Sequence, residues 1–174
     1  MTQATDKMRV GVVVERREID NKWVDHTWRA VAVIPGAPSI SEWQQTIAGE
    51  GWVQYHAATL EIEIFAKETE GYRVNLQSTN PAVYVVLRPN QDAGSAHEID
   101  VFHVTVCPFE ASLYTDIGDD IVEGIPMPPE IAAWVSDFFD KHHVEVPFVK
   151  RKRLPYDPRK GGPRPDGFGG GGSE

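Results

Sequence analysis

The residues best equipped for chemistry lie together in Trp23–Val24–Asp25–His26–Thr27–Trp28, where an imidazole follows a carboxylate between two indoles. An oriented general base needs a carboxylate against its ring, and a groove for a planar ligand needs aromatic walls, so the run has parts for either. Indoles more often anchor a connection onto a sheet, and adjacency in sequence does not press Asp25 onto His26. Anchoring is therefore the favoured reading, binding the second and catalysis the last. With Arg16 and Arg17 just upstream, Trp23, Asp25, His26 and Trp28 make a candidate interaction surface.

Other constellations carry less. Cys107 becomes a nucleophile only beside a base, and on an extended strand His103 would stand roughly 13 Å from it. A small buried hydrophobe is the better expectation for Cys107. Asp116, Asp119, Asp120 and Glu123 form a carboxylate-rich loop of the type hard cations favour, but their spacing is not that of an EF-hand, and a solvated acidic loop is preferred. His142 and His143 point about 100° apart on a helix with no third ligand in view, so helix-end capping outweighs a metal site. No phosphate-binding loop, dinucleotide fingerprint, G-x-S-x-G or paired C-x-x-C occurs. The expectation is no catalytic residue, no metal and no cofactor.

The charge is divided along the chain. Residues 1–149 hold 10 Lys/Arg against 23 Asp/Glu, a net −13, whereas residues 150–174 hold 7 against 3, a net +4. An acidic body repels nucleic acid and anionic lipid, while Lys150, Arg151, Lys152 and Arg153 can dock on an acidic protein surface or neutralise phosphates. Pro155, Asp157, Pro158 and Asp166 interrupt the basic block, so a protein partner is favoured over nucleic acid. The closing Gly169–Gly172 with Ser173 has the composition of a flexible linker. One cysteine permits no intrachain disulfide, no apolar run reaches the length of a membrane span, and the start lacks a secretory core, so a cytoplasmic location is expected.

The elements that must position these residues read as mainly β. Val10, Val12 and Val14 belong to a strand starting at Arg9, and Thr27–Ile34 to a second that Pro35–Gly36 ends. The segment from Arg9 to Gly36 is the expected sheet centre. Ser41 and Gln44 resemble a capping box, and with Ile40, Trp43 and Ile47 they predict a brief helix over 42–48. Trp52–Tyr55 and the alternating Leu60, Ile62 and Ile64 read as strand, Gly71 as a turn, and Tyr72, Val74 and Leu76 as a further strand. Val83–Leu87 and Ile99–Cys107 read as apolar strands closed by Pro89 and Pro108. Pro128–Pro129 starts a helix with Ile131, Trp134, Val135, Phe138 and His142 on one stripe. The fold class expected is α+β: an antiparallel sandwich or partly open barrel of about six to seven strands, one short helix, and a C-terminal helix packed on it. The expected organisation is a flexible N-terminus over 1–8, one β-rich domain over 9–149, and a basic, then Gly/Pro-rich, disordered tail over 150–174.

Several words recur in one order: Gly11–Val12–Val13–Val14–Glu15–Arg16–Arg17, Trp23–Trp28, Val33–Ile34–Pro35–Gly36–Ala37–Pro38, Lys67–Glu68–Thr69–Glu70, Tyr84–Val85–Val86–Leu87–Arg88, Met127–Pro128–Pro129–Glu130, His142–His143 and Pro147–Phe148–Val149–Lys150–Arg151. Over residues 9–153 they resemble a bacterial, mainly proteobacterial, domain family of unknown function. Its members are often encoded beside molybdenum-dependent formate dehydrogenase genes, with another small protein and an iron–sulfur protein. The resemblance implies an accessory role in assembly, maturation or regulation of a formate dehydrogenase or related molybdoenzyme, by protein–protein binding to a subunit or maturation factor. It supplies no catalytic residues. The alternatives are a small enzyme or pterin- or nucleotide-binding protein using the Trp23–Trp28 connection, and nucleic-acid binding by the tail.

Overall fold

Strand β1 (Thr5–Glu18) pairs antiparallel with β4 (Trp52–Phe65) over Thr5–Arg17 and, on its other side, with β2 (His26–Pro35) over Val10–Glu18. The computed structural model describes residues 3–92, 97–116 and 118–145, and the compact unit discussed below ends at Val144. With β3 (Gln44–Gly49), these strands form a sheet in the order β2-β1-β4-β3. A second antiparallel sheet has the order β6-β5-β7, from β5 (Ala82–Pro89), β6 (Ile99–Thr105) and β7 (Ile121–Pro126). Three α-helices accompany the sheets among the described residues: α1 (Thr69–Gln77), which a 3-10 turn over Ala66–Glu68 leads into, α2 (Pro108–Thr115) and α3 (Pro129–His142). The architecture is therefore the expected mostly β, α+β sandwich, with neither sheet closed into a barrel.

β-branched side chains fit a pleat buried on both faces, which is why the central strands carry them. Val10, Val12 and Val14 share one core with Ile62, Ile64, Val83, Val85, Leu87 and, from α3, Ile131, Val135 and Phe138. Each such side chain contributes roughly 1.5–3 kcal/mol on burial. The other face of β1 is covered by the connection from β2 to β3. A Cβ on Gly11 would lie 2.7 Å from the Ala37 Cβ, so this strap needs glycine beneath it. Thr59 Oγ1 donates to the Pro38 carbonyl at 2.6 Å and so accepts from His56 Nε2 at 2.9 Å.

Several elements differ from the sequence expectation. The helix expected over 42–48 is the strand β3. Seven residues are too few to sustain a helix alone, and the edge of β4 offers backbone partners instead. The hairpin closes through Gly51 at φ +78°, with the Trp52 indole lying over Gly49. The strand expected over Tyr72–Leu76 is α1: Thr69, Tyr72 and Asn75 are buried at three-residue spacing, and Val74 faces solvent. Gly71 is not a turn; it sits within α1, where a Cβ would come within 2.7 Å of Cys107 Sγ. Pro108 both stops β6 and opens α2, a helix not anticipated, and Ile121–Pro126, read as loop, completes the second sheet. Strand β1 already starts at Thr5, inside the stretch 1–8 expected to be flexible. The basic tail 150–174 lies outside the described residues.

Buried polar groups tie the helices to the sheets. The Tyr72 hydroxyl accepts the Phe65 backbone N–H at 2.9 Å and donates to Glu68 at 3.0 Å. Asn75 donates to the Ala82 and Val106 carbonyls at 2.7 and 2.8 Å and accepts from the Ala82 N–H at 2.9 Å. One side chain thus does the work of a missing strand partner where α1 meets β5.

Candidate functional site

The β1–β2 hairpin presents its connection at one end of the first sheet. Ile19 N–H donates to the Asp25 carbonyl at 3.0 Å, and Asn21 Oδ1 accepts the Trp23 backbone N–H at 2.9 Å, a local side-chain turn that fixes the tip. Trp23 is 90 % exposed and Val24 49 %. The two tryptophans of the sequence motif are therefore separated: Trp23 is turned outward, whereas Trp28 packs against the core.

Trp28 is the hub of an aromatic cluster. Its ring meets Trp43 edge-on at 5.6 Å between centroids and lies 6.2 Å from Tyr55, while His97 stacks on Trp43 at 3.7 Å and 10°. Strands β2 and β4 supply Trp28 and Tyr55, the strap supplies Trp43, and the approach to β6 supplies His97. Glu98 accepts from Trp28 Nε1–H at 3.2 Å and from His26 Nε2 at 2.8 Å, with Arg16 Nη2 3.3 Å from His26 Nδ1. A guanidinium only donates, so Nδ1 must carry the lone pair and the proton sits on Nε2, aimed at Glu98. The hydrogen bonds from His26 and then Trp28 hold the Glu98 carboxyl below its usual range. Burial pushes the His97 imidazole down.

The carboxylate that His26 meets is Glu98, not Asp25. Asp25 is exposed and contributes its backbone carbonyl to the tip. Arg17 turns to the other face of the strand, where its Nε donates to Glu15 at 2.8 Å, and Gln54 donates to the same carboxylate at 3.0 Å. Those bonds, Gln54 first, lower the Glu15 carboxyl although it is nearly buried. Of the expected surface, Arg16, His26 and Trp28 come together, Trp23 stands apart at the tip, and Lys150, Arg151, Lys152 and Arg153 lie outside the described residues. Sequence reasoning missed Glu98, Tyr55 and His97 as partners. Glu98 lies 70 residues from Trp28 along the chain, and nothing local marks it.

The remaining candidates resolve into structure. Cys107 is buried, and burial raises its thiol. His103 pairs with Glu110 at 2.6 Å, and Thr105 Oγ1 donates to the other Glu110 oxygen at 2.8 Å. In the acidic loop, Asp120 accepts a bidentate pair from Arg88, both bonds 2.8 Å, and the guanidinium lies 3.5 Å over the Phe102 ring. His143 Nδ1 is 2.9 Å from Thr69 Oγ1, and its ring stacks on Phe139. Among the described residues no group of three or more His, Cys, Asp or Glu side chains is arranged to hold a metal. No described helix is long and apolar enough to cross a membrane.

The Glu110 triad yields a pH prediction. Hydrogen bonding from His103 and then Thr105 lowers the Glu110 carboxyl from its usual 4.5. A group whose value falls on folding stabilises the fold above its unfolded value and loses that contribution as pH falls through the folded one. Glu110→Gln should therefore destabilise at neutral pH, and the gap to the parent protein should close progressively on acidification below 4.5. Urea unfolding at a series of pH values measures this; a gap independent of pH would contradict it.

Residues 9–152 match a family model described as "Protein of unknown function (DUF3305)". No curated protein matches the chain, and no solved structure does.

Proposed function

We propose that this chain, which belongs to the family of proteins of unknown function DUF3305, is a non-catalytic accessory protein that binds another protein through the tip of its first hairpin. The observation that carries the reading is Trp23, 90 % exposed on a turn held by its own hydrogen bonds. A large indole left in water gains little for the fold, whereas tryptophan in a partner's pocket is among the strongest interface anchors. Val24 widens the apolar tip, and Arg16 and Glu98 beside it offer charges of both signs at its base. The partner proposed is a subunit or maturation factor of a molybdenum-dependent formate dehydrogenase or related molybdoenzyme in a bacterium. That choice rests on the resemblance of the sequence words to a family encoded beside such genes.

A pterin or nucleotide stacked between the motif's indoles is a weaker reading. Trp28 already meets both Trp43 and His26 in T-shaped contacts, and Trp43 stacks on His97. Affinity capture with the tagged full chain from cells growing on formate should enrich dehydrogenase subunits or maturation factors. Trp23→Ser should reduce that capture at least tenfold while leaving the melting temperature within about a degree, as expected for an exposed position. Capture that lacks those proteins, or that ignores the substitution, would overturn the proposal.

A further inference from the structure

The two sheets have four edge strands among the described residues: β2 and β3 in one, β6 and β7 in the other. Natural edges are blunted by charge, proline or cover, because an unpaired row of N–H and C=O groups templates another strand. Three edges here follow that rule: β2 carries Arg29 and ends at Pro35, β6 carries Asp100, and β7 carries Glu123 and Pro126. Strand β3 does not. Gln44–Gln45–Thr46–Ile47–Ala48–Gly49 has neither charge nor proline, and all six residues are exposed, Ile47 at 55 %.

The charges that matter stand at its two ends. Glu42 precedes β3 and Glu50 follows it, both exposed, and neither forms an ion pair among the described residues. From Ala30 to Ala66 the chain contains four Glu and no Lys or Arg. Glu61 and Glu63 are met by Lys7 from β1, which leaves Glu42 and Glu50 without a cation among the described residues. The six strand residues Gln44–Gly49 lie between them, with a bend at Glu42 and a turn at Glu50, so the two carboxylates stand at most about 27 Å apart along the edge.

We infer that β3 is a docking edge for an extended strand of another polypeptide, whose uncharged central stretch is flanked at both ends by Lys or Arg about eight residues apart. Main-chain hydrogen bonds would give the affinity, and Glu42 and Glu50 the selection. Charge decides against a second copy of this chain: antiparallel self-pairing would gather two Glu42 and two Glu50 along one junction with no local cation. A register shift between Gln45 and Ile47, with Thr46 Oγ1 donating to the Gln54 carbonyl at 3.3 Å, bends the edge and limits the registers a visitor can adopt. The inference rests on the protein-binding reading above and extends it. Glu18 N–H donates to the Gly51 carbonyl at 2.8 Å, so the end of β3 and the Trp23 hairpin lie at the same end of the sheet.

The test titrates the full chain with two labelled synthetic peptides sharing an alternating Thr/Val centre, one bearing lysines eight positions apart and the other glutamates. Fluorescence anisotropy reads binding, and amide exchange reads protection over residues 44–49. The lysine peptide should bind at least tenfold more tightly and slow exchange in β3, and the exposed pair Glu42→Lys with Glu50→Lys should invert the preference. Equal binding of both peptides, no protection in β3, or indifference to the charge reversal would overturn the inference. So would concentration-dependent dimerisation whose exchange footprint is β3, because the occupant would then be a second copy. If this test fails while capture still depends on Trp23, the edge alone is wrong; if capture also fails, the protein-binding reading falls with it.

Discussion

Asn75→Ala is expected to lower the unfolding free energy by about 3–5 kcal/mol, because it strands buried backbone groups whose desolvation is then uncompensated. The side chain is 3 % exposed and satisfies the Ala82 N–H, the Ala82 carbonyl and the Val106 carbonyl at once. Water cannot replace it without opening the contact of α1 with the ends of β5 and β6. Asn75→Asp is a sharper comparison: it keeps the shape and the acceptor but loses both donors, so it should remain nearly as damaging at neutral pH. Urea denaturation measures both. A loss below about 1 kcal/mol for the alanine variant, the size of one ordinary hydrogen bond, would contradict this account.

The second large effect is expected at Trp28. Trp28→Ala should cost about 3 kcal/mol, the lower part of the range for removing a large aromatic, since the ring is only partly buried. It removes the hub on which Trp43, Tyr55 and His26 converge and the donor to Glu98. Trp28→Phe, which keeps ring packing and loses the N–H, should recover more than half of that. The contrast with Trp23 separates the two indoles: one supports the sheet, and the other stands exposed at the hairpin tip. Equal destabilisation by Trp23→Ser and Trp28→Ala would collapse that distinction.

The legibility of the chain followed how unambiguous each local pattern was. Val10–Val14 and Val83–Leu87 admit few readings besides buried strand, and Ile131, Val135 and Phe138 have helical spacing with proline at the start, so these elements were readable. Tyr72, Val74 and Leu76 alternate as in a strand, and only Tyr72 and Leu76 of the three also fit one helical face. The helix prevails because Tyr72 and Asn75 find buried partners only on a three-residue spacing, and those partners lie in other elements. Ser41 and Gln44 imitate a helix start, but the neighbouring β4 provides more than an isolated turn of helix can. The site was half visible for the same reason. His26 and Trp28 stand out by residue type, but the carboxylate that orders them, Glu98, is recruited across the fold, and Asp25 attracted attention only by adjacency.

The central position of β1 has a consequence for synthesis on the ribosome. Its partner β2 is complete at Pro35, but β4 pairs Phe65 with Thr5, so the second side of β1 is not fully covered until thirty residues later. At about 5–20 residues per second that interval is roughly 1.5–6 s, during which a valine-rich strand is held on one side only. Nascent chains stalled before Phe65 should therefore be the species most prone to pairing with the wrong strand, and the protein's yield should depend on how quickly translation passes that point.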